Sequence, residues 1–318
     1  MPSRVHITLV DLGKTGYRRG RGIGFAIDHP RSKLEFSFSP NVDLQALLEV
    51  NYTSAEVARL EETLLFMQKK WGAAGLTLLK ASIPSRHAGF GTGTAVALAC
   101  VEAFSILNKL DLSQPELISA SGRGGTSGVG INTYFDGGFI FDVGHRDVGQ
   151  KIMSSDSVVT PKGVPFRLIR LDMPSWDIGL AEMPGNAGTD LSLEKSLFES
   201  ILPLEDPEVY AAAYHSVFGV TAAVADNDLE RFCAAVNRLQ EGAWKKNEIA
   251  LHDPGVRELM RKLSDLGALG VGLSSVGPAV YFLAQDFSSV YCRIKAALPN
   301  VKVEKFKPAN MGRILLND

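Results

Sequence analysis

The sequence contains few cysteines, and their positions exclude two classes of site. Only Cys100, Cys233 and Cys292 occur among 318 residues, far apart and odd in number. A disulfide framework and a cysteine-ligated zinc site both need closely matched thiols, so neither is expected here. We interpret the three cysteines as small apolar residues of the interior.

Excess positive charge, long apolar runs and a secretory leader are also absent. The formal net charge is −2, so no basic surface for nucleic acid is expected. The longest apolar run, near residues 95–101, is far shorter than the roughly 20 residues that span a bilayer. The opening residues lack the basic-then-apolar pattern of a signal peptide. We therefore expect a cytoplasmic protein that binds neither nucleic acid nor membrane.

The composition that is present is typical of a globular protein with a substantial core. Hydrophobic residues make up 45% and charged residues 21% of the chain, and its length predicts two domains. We expect one domain over residues 1–163 and a second over 164–318, with a strand at 167–172 opening the second.

The apolar patterns predict helices and strands that do not follow a strict βαβ order, which indicates an α+β fold. Strands are predicted at 5–11, 24–27, 34–39, 76–83, 167–172, 270–273, 280–283 and 301–305, a hairpin at 131–142, and helices at 54–71, 94–107, 114–121, 193–202, 207–218, 226–237 and 254–266.

The strongest functional signal is the glycine-rich loop PSRHAGFGTGT at residues 84–94, between a strand and an apolar helix. Glycines allow a tight turn with several N–H groups aimed at one point, and the helix N-terminus adds partial positive charge. We predict a phosphate site formed by Gly89, Gly91, Thr92, Gly93 and Thr94. The spacing matches neither a Walker loop nor a Rossmann fingerprint. A glycine turn that only packs the helix is the alternative.

Two further glycine loops carry polar side chains. The loop SGRGGTSGVG at 121–130 contains Arg123, Thr126 and Ser127, and an arginine can bind phosphate or carboxylate through two hydrogen bonds. The loop GVGLSSVGP at 270–278 contains Ser274 and Ser275. We predict that both loops bind the same anion; the alternatives are a mobile surface loop and a hairpin turn.

Asp142, His145 and Arg146 follow the strand-like segment GGFIF and are candidate catalytic residues. Histidine titrates near neutrality and suits proton transfer. A carboxylate such as Asp142 is a candidate ligand for Mg²⁺, which prefers one or two carboxylates together with substrate phosphates. Structural roles for an isolated His and Asp are the alternative.

Together these loops resemble the three motifs of the GHMP kinase superfamily, through PSRVH at 2–6, the loop at 89–94 and the loop at 270–278. The resemblance implies a GHMP-kinase-like two-domain fold, with a ribosomal protein S5-like N-terminal domain and a ferredoxin-like C-terminal domain. The kinases place a catalytic Asp after a Ser-Gly-x run, where this sequence has Gly130. A glycine cannot orient a hydroxyl nucleophile, which argues against phosphoryl transfer.

The segments GRGGTSGVG and GGFIFDVGH are similar to those of the β-ribofuranosylaminobenzene 5′-phosphate synthase family. That resemblance implies a Mg²⁺-dependent homodimer that condenses phosphoribosyl pyrophosphate with 4-aminobenzoate in methanopterin synthesis. The products are a C-glycoside, pyrophosphate and carbon dioxide. In this reading Arg4 and His6 lie at the edge of the substrate pocket.

The sequence does not decide which aromatic acid is the acceptor, because it has Ala95 where methanopterin-type members have Gln. A related group makes C-nucleoside antibiotics of the formycin and pyrazofurin type from pyrazole carboxylates, and it is the first alternative. Two other classes stay open: an ATP-dependent small-molecule kinase and a non-catalytic ligand sensor.

Overall fold

The computed structural model describes residues 1–14, 17–84, 88–146, 153, 163–184, 191–252 and 254–316. Two four-stranded antiparallel sheets organise these residues, one with the strand order β1-β3-β6-β8 and one with the order β10-β11-β9-β12. The α+β class expected from the sequence is confirmed. The strands are β1 (Ser3–Val10), β2 (Arg18–Arg19), β3 (Arg21–Ile27), β4 (Lys33–Ser39), β5 (Gly75–Ser82), β6 (Phe139–Asp142), β7 (His145–Arg146), β8 (Arg167–Leu171), β9 (Ile178–Glu182), β10 (Gly270–Leu273), β11 (Val280–Leu283) and β12 (Lys302–Phe306).

Helices cover both sheets. They are α1 (Ser54–Trp71), α2 (Thr92–Leu107), α3 (Gln114–Ser121), α4 (Val129–Asp136), α5 (Leu191–Ile201), α6 (Asp206–Tyr214), α7 (Ala222–Asp226), α8 (Leu229–Gln240), α9 (Ala243–Ala250), α10 (Gly255–Asp265) and α11 (Phe287–Ala297). A π-helical turn, His215–Thr221, joins α6 to α7. None of the helices in the described ranges has the length and apolar character needed to cross a bilayer.

Local sequence explains where the first helices begin. Thr53 and Glu56 form a reciprocal capping box at the start of α1, which satisfies backbone N–H groups that the helix leaves without partners. By contrast, α2 has no side-chain cap at its N-terminus. Its apolar residues pack into a core with α1, α3 and the paired strands β4 and β5. Burial therefore fixes α2 in place while its first turn keeps free N–H groups.

One hydrophobic core joins the two sheets. Phe25 of β3 lies 6.3 Å, ring centroid to ring centroid, from both Phe232 of α8 and Tyr281 of β11, in edge-to-face contacts. Such aromatic pairs add about 0.5–1.5 kcal/mol beyond the burial of their area. These contacts pack β3 of the first sheet against β11 of the second sheet and against α8.

The segment 131–142 corrects the sequence-based expectation of a hairpin. Residues Val129–Asp136 form helix α4, and only Phe139–Asp142 is a strand. The paired glycines Gly137 and Gly138 suggested a hairpin turn, but Gly137 instead ends the helix. Strand β9 and helix α9 were not expected at all.

Strand β8 corrects the expected start of the second domain. The segment 167–172 was assigned there, yet β8 pairs with β6 in the first sheet. Cys292 is likewise exposed rather than buried, whereas Cys100 and Cys233 are buried as expected.

After β12 the chain returns to the first sheet. The N–H of Ala309 donates to Ala26 O at 2.9 Å, and the N–H of Gly138 donates to Ala309 O at 2.7 Å. Arg313 then forms an ion pair at 2.7 Å with the buried Glu102 of α2. The first sheet is therefore completed by residues that follow the second.

Candidate functional site

The predicted phosphate loop rests directly on the loop after β10. The hydroxyl of Ser274 donates to Gly89 O at 2.7 Å. Gly89 has a φ of +94°, and a Cβ there would lie 2.1 Å from Ser274 O. Only glycine combines this backbone conformation with so close an approach. The two loops predicted to bind one anion are thus brought together.

Arg4 of β1 lies against the phosphate loop. Its N–H donates to Phe90 O at 3.0 Å, and its Nη1 donates to Gly89 O at 2.5 Å. Nε is buried and has no hydrogen-bond partner among the described residues. Burial lowers the pKa of Arg4 to about 10; Glu194 and Glu248 oppose that shift, and the positive charge of Arg123 adds to it. Arg4 therefore stays protonated at neutral pH.

The N-terminus of α2 is the centre of the candidate site. Thr92 Oγ1 is buried and has no hydrogen-bond partner within the described ranges. Arg123 Nε donates to Thr94 Oγ1 at 3.3 Å, which brings a second guanidinium to this helix end. A Cβ at Gly93 would meet no atom of the described residues within 4 Å, so these residues leave space in front of the first turn. Free N–H groups, two nearby cations and open space together favour an anion.

His6 connects the phosphate-binding loops to the loop at 121–130. Its N–H donates to Ser274 Oγ at 3.2 Å, and its carbonyl accepts from the N–H of Ser275 at 3.0 Å. Its Nε2 lies 3.2 Å from Ser127 Oγ. Burial, with further contributions from Arg4 and Lys245, lowers the pKa of His6 well below its usual value of 6.5. His6 is therefore neutral at physiological pH.

Asp142 lies beyond Ser127 and is fully buried. Its Oδ2 accepts hydrogen bonds from Ser127 Oγ at 3.2 Å and the N–H of Gly128 at 3.0 Å, and its Oδ1 accepts one from the N–H of Gly144 at 2.9 Å. Burial raises the pKa of Asp142 to about 7, whereas these hydrogen bonds lower it. The carboxylate fixes two loops to the sheet.

That geometry does not fit the prediction that Asp142 holds Mg²⁺. Both carboxylate oxygens are already bonded, and the side chain reaches no solvent. Within the described ranges, no group of three His, Cys, Asp or Glu side chains could hold a metal ion. Asp142 is therefore not placed to ligate Mg²⁺, and the requirement for the ion stays a prediction.

The other predicted catalytic residues, His145 and Arg146, lie on the short strand β7. His145 Nε2 lies 2.7 Å from Gly124 O, so this nitrogen carries the proton and supports the turn of the 121–130 loop. Thr126 Oγ1 donates to Met153 O at 2.8 Å. Arg146 is exposed on β7, opposite Arg18 of β2. Among these residues, His145 therefore contacts the 121–130 loop directly.

The predicted residues thus divide into two groups joined by His6. The group at the end of α2 consists of Arg4, Gly89, Gly91, Thr92, Gly93, Thr94, Arg123, Ser274 and Ser275; the group around the carboxylate consists of Thr126, Ser127, Asp142, His145 and Arg146. Ser85, Arg86 and His87 of the predicted loop lie outside the described residues.

Sequence reasoning missed Lys245 and Glu248 of α9. Lys245 is fully buried, and its Nζ donates to Leu273 O at 2.8 Å and Ser275 O at 3.2 Å, next to Glu248 Oε2 at 2.5 Å. The available signal was spacing: Lys245, Glu248 and Ile249 recur at i, i+3 and i+4, so the two charges share a helix face with an apolar residue.

Comparison with known families confirms the fold expected from the motifs. Residues 56–138 match the family described as "GHMP kinases N terminal domain", and residues 220–300 match "GHMP kinases C terminal". Homoserine kinase from Cytophaga hutchinsonii superimposes with a TM-score of 0.66 and 16% identity, covering 98% of this chain and 94% of that one. Mevalonate kinase from L. major, in complex with R-mevalonate, gives a TM-score of 0.64 and 14% identity over 98% and 95%.

Two relatives share more sequence, and both have the same name. Beta-ribofuranosylphenol 5′-phosphate synthase from Archaeoglobus fulgidus is 31% identical over 285 residues, covering 90% of this chain and 87% of that protein. The enzyme of that name from Methanothermobacter thermautotrophicus is 30% identical over 300 residues, covering 90% and 88%.

Proposed function

The chain belongs to the β-ribofuranosylphenol 5′-phosphate synthase family and has the GHMP kinase fold, and from this premise we propose that it is a decarboxylating phosphoribosyltransferase. It joins C1 of phosphoribosyl pyrophosphate to a ring carbon of a small aromatic carboxylic acid. The products are a C-glycoside, pyrophosphate and carbon dioxide.

The observation that carries this proposal is the pair of buried donors at the end of α2. Arg4 Nε and Thr92 Oγ1 have no hydrogen-bond partner among the described residues. Buried polar groups without partners cost about 1–3 kcal/mol each, so their presence points to a bound acceptor. The phosphates of the donor supply such acceptors. The positive charge of Arg123 adds to the lowering of the pKa of Arg4, so the two guanidinium groups lie close to each other. Both groups would therefore bind the negatively charged phosphates.

The reaction needs stabilisation of charge more than it needs proton transfer. The C1–oxygen bond breaks and its electron pair leaves on pyrophosphate, while the ring carbon that bears the carboxylate bonds to C1. The bond to the carboxylate then breaks, its pair restores the aromatic ring, and carbon dioxide departs. No proton is gained or lost, which agrees with the structural role of Asp142 and His145. Preorganised donors at the leaving pyrophosphate supply the main stabilisation.

Magnesium was expected with this chemistry, but no step is assigned to it. The described residues contain no cluster of three His, Cys, Asp or Glu side chains that could hold a metal ion, and Mg²⁺ commonly keeps much of its coordination to substrate phosphates and water. Whether the reaction requires Mg²⁺ is therefore tested by running the assay with and without the ion.

Several acceptors fit the proposal. The relatives are named for a ribofuranosylphenol product, which a hydroxybenzoate would give with loss of carbon dioxide. The sequence analysis favoured 4-aminobenzoate, and a pyrazole carboxylate defines the C-nucleoside alternative. The predicted homodimer also stays a prediction.

The kinase alternative is disfavoured by Gly130. A Cβ at this position would lie 3.4 Å from Thr94 Cγ2, so an Asp here would reach the end of α2. With glycine at this position there is no carboxylate near the end of α2, and the space is left for the aromatic acid. A ligand sensor is the remaining alternative, and it would bind the donor without turnover.

The test is an incubation with phosphoribosyl pyrophosphate, with and without Mg²⁺, and a panel of acceptors: 4-hydroxybenzoate, 4-aminobenzoate and a pyrazole dicarboxylate. Pyrophosphate and carbon dioxide are measured together, and we expect them in equal amounts with a benzoate. Release only with the pyrazole would favour C-nucleoside synthesis. Binding without either product would favour a sensor, and ATP hydrolysis alone would restore the kinase interpretation.

A further inference from the structure

The loop at residues 273–276 connects the parts of the candidate site. Through Ser274 it binds the phosphate loop at Gly89 and the backbone of His6, and through the N–H of Ser275 it binds the carbonyl of His6. Ser275 has a φ of +56°, which is unfavourable for a residue with a side chain. Surrounding contacts must therefore hold the turn in this shape.

Those contacts come from α9 and the residues just after it. Lys245 Nζ donates to Leu273 O at 2.8 Å and to Ser275 O at 3.2 Å. His252 Nε2 lies 2.7 Å from Val276 O. Three carbonyls in four residues are thus bound by side chains on the side of the turn opposite the phosphate loop.

Glu248 completes the arrangement. Its Oε2 lies 2.5 Å from Lys245 Nζ, and both side chains are almost fully buried. The ammonium donates hydrogen bonds to the two carbonyls, and the carboxylate balances its charge as an ion pair. Burying an ion pair rarely adds net stability compared with apolar residues of the same size, so a purely structural explanation is weak.

We propose that Lys245, supported by Glu248, is a positioning residue for the phosphoribosyl pyrophosphate site, fixing the 273–276 turn that holds Gly89 and His6 in place. This inference rests on the proposed function and adds to it. Lys245 touches no reacting atom; its contribution is to hold the loops so that the donors at the end of α2 converge on one point.

The test replaces the whole pair, as Lys245→Met with Glu248→Met. Removing both charges leaves no uncompensated carboxylate, so the melting temperature should fall only moderately, through the two carbonyls that lose their donor. The hydrogen bonds to Leu273 and Ser275 are then lost. We expect the KM and Kd for phosphoribosyl pyrophosphate to rise about 10-fold to 100-fold, with the KM for the aromatic acid unchanged.

The matched control is Lys246→Met, one residue along the same helix and exposed, which should change neither constant. A double variant that folds and binds the donor within about threefold of the wild type would overturn the positioning role. Should the double variant not fold, Lys245→Gln retains an amide donor and is expected to raise the same KM by a smaller factor. An unchanged KM in that variant would also overturn the inference.

Failure of the proposed function gives a different result. A wild-type protein that binds no phosphoribosyl pyrophosphate in calorimetry would reject the function itself, and the inference with it. A wild-type protein that binds the donor, beside a stable double variant that binds equally well, would reject the inference alone.

Discussion

Arg4 and Asp142 lie at opposite ends of one path of hydrogen bonds through His6 and Ser127, yet their polar atoms differ in one respect. Both oxygens of Asp142 are bonded to groups of the protein. Arg4 Nε, and Thr92 Oγ1 beside the same loop, have no hydrogen-bond partner in the described part of the chain. A saturated buried group holds the fold together, whereas an unsaturated one indicates a place for a ligand.

The largest effect on stability is expected at Asp142, whose two carboxylate oxygens are both bonded. Replacing Asp142 with Ala leaves three buried donors, Ser127 Oγ and the N–H groups of Gly128 and Gly144, without their acceptor. We expect the free energy of unfolding in urea to fall by at least about 3 kcal/mol. Asp142→Asn retains one acceptor and should lose less. The exposed Asp172→Ala is the control, and an equal loss there would contradict the comparison.

At Arg4, whose Nε has no described partner, a substitution should lower the affinity for phosphoribosyl pyrophosphate. Arg4→Met removes a cation from the end of α2, and binding of phosphoribosyl pyrophosphate should weaken by about 1.5–3 kcal/mol, measured by calorimetry. Arg59→Met on the exposed face of α1 is the charge-matched control. If the donor binds Arg4→Met as tightly as the wild type, the anion site lies elsewhere.

His6, between the two ends, should make stability depend on pH. Its folded pKa lies well below 6.5, so the unfolded chain binds more protons as the pH falls. The stabilisation is present above pH 6.5 and is lost below it, at up to about 1.4 kcal/mol per pH unit. Urea unfolding at pH 7, 6 and 5 measures this slope.

His6→Gln should remove this contribution, so its stability should fall less between pH 6.5 and 5 than that of the wild type, whose slope also includes the opposite contribution of Asp142. His29 is the control, since 71% of its side chain is exposed and His29→Gln should leave the slope unchanged. If stability depends on pH in the same way in all three proteins, groups other than His6 cause that dependence.

The smallest effects distinguish two threonines. Thr92→Val removes a hydroxyl that has no described partner, so stability should hold while donor affinity falls by about 0.5–1.5 kcal/mol. Thr133 Oγ1 donates to Val129 O at 2.8 Å inside α4. Thr133→Val should therefore lower stability by about 1 kcal/mol and leave donor affinity unchanged. Thermal melts measure stability and calorimetry measures donor affinity in both variants. If Thr92→Val and Thr133→Val changed these two quantities in the same way, the comparison would be wrong.

The sequence predicted those parts of the molecule where local pattern and environment agree. Helix α1 was predicted with the observed bounds because its apolar spacing is a local feature. The strands β10 and β11 were also predicted correctly, since each is a short apolar segment between turns. The loops at 89–94 and 274–275 were recognised as one site through a family resemblance, and the structure does bring them together.

The errors arise where neighbours distant in sequence decide the outcome. Helix α9 went unrecognised because a Lys and a Glu three residues apart are typical of a solvated helix face, and only burial distinguishes Lys245 from Lys246. Asp142 was expected to offer its carboxylate to a metal, because the sequence does not show that backbone N–H groups already bind it. Strand β8 was assigned to the wrong sheet because pairing partners leave no local signal.

The return of the chain to the first sheet has a consequence for how the protein is made on the ribosome. Residues 307–313 are synthesised after the entire second sheet, yet Ala309 bonds to Ala26 and Gly138, and Arg313 neutralises the buried Glu102. The half of the chain that emerges first therefore cannot reach its final state alone. Until the late segment arrives, Glu102 of α2 is a buried carboxylate without its cation, so this helix gains its final contacts only when both halves have been translated.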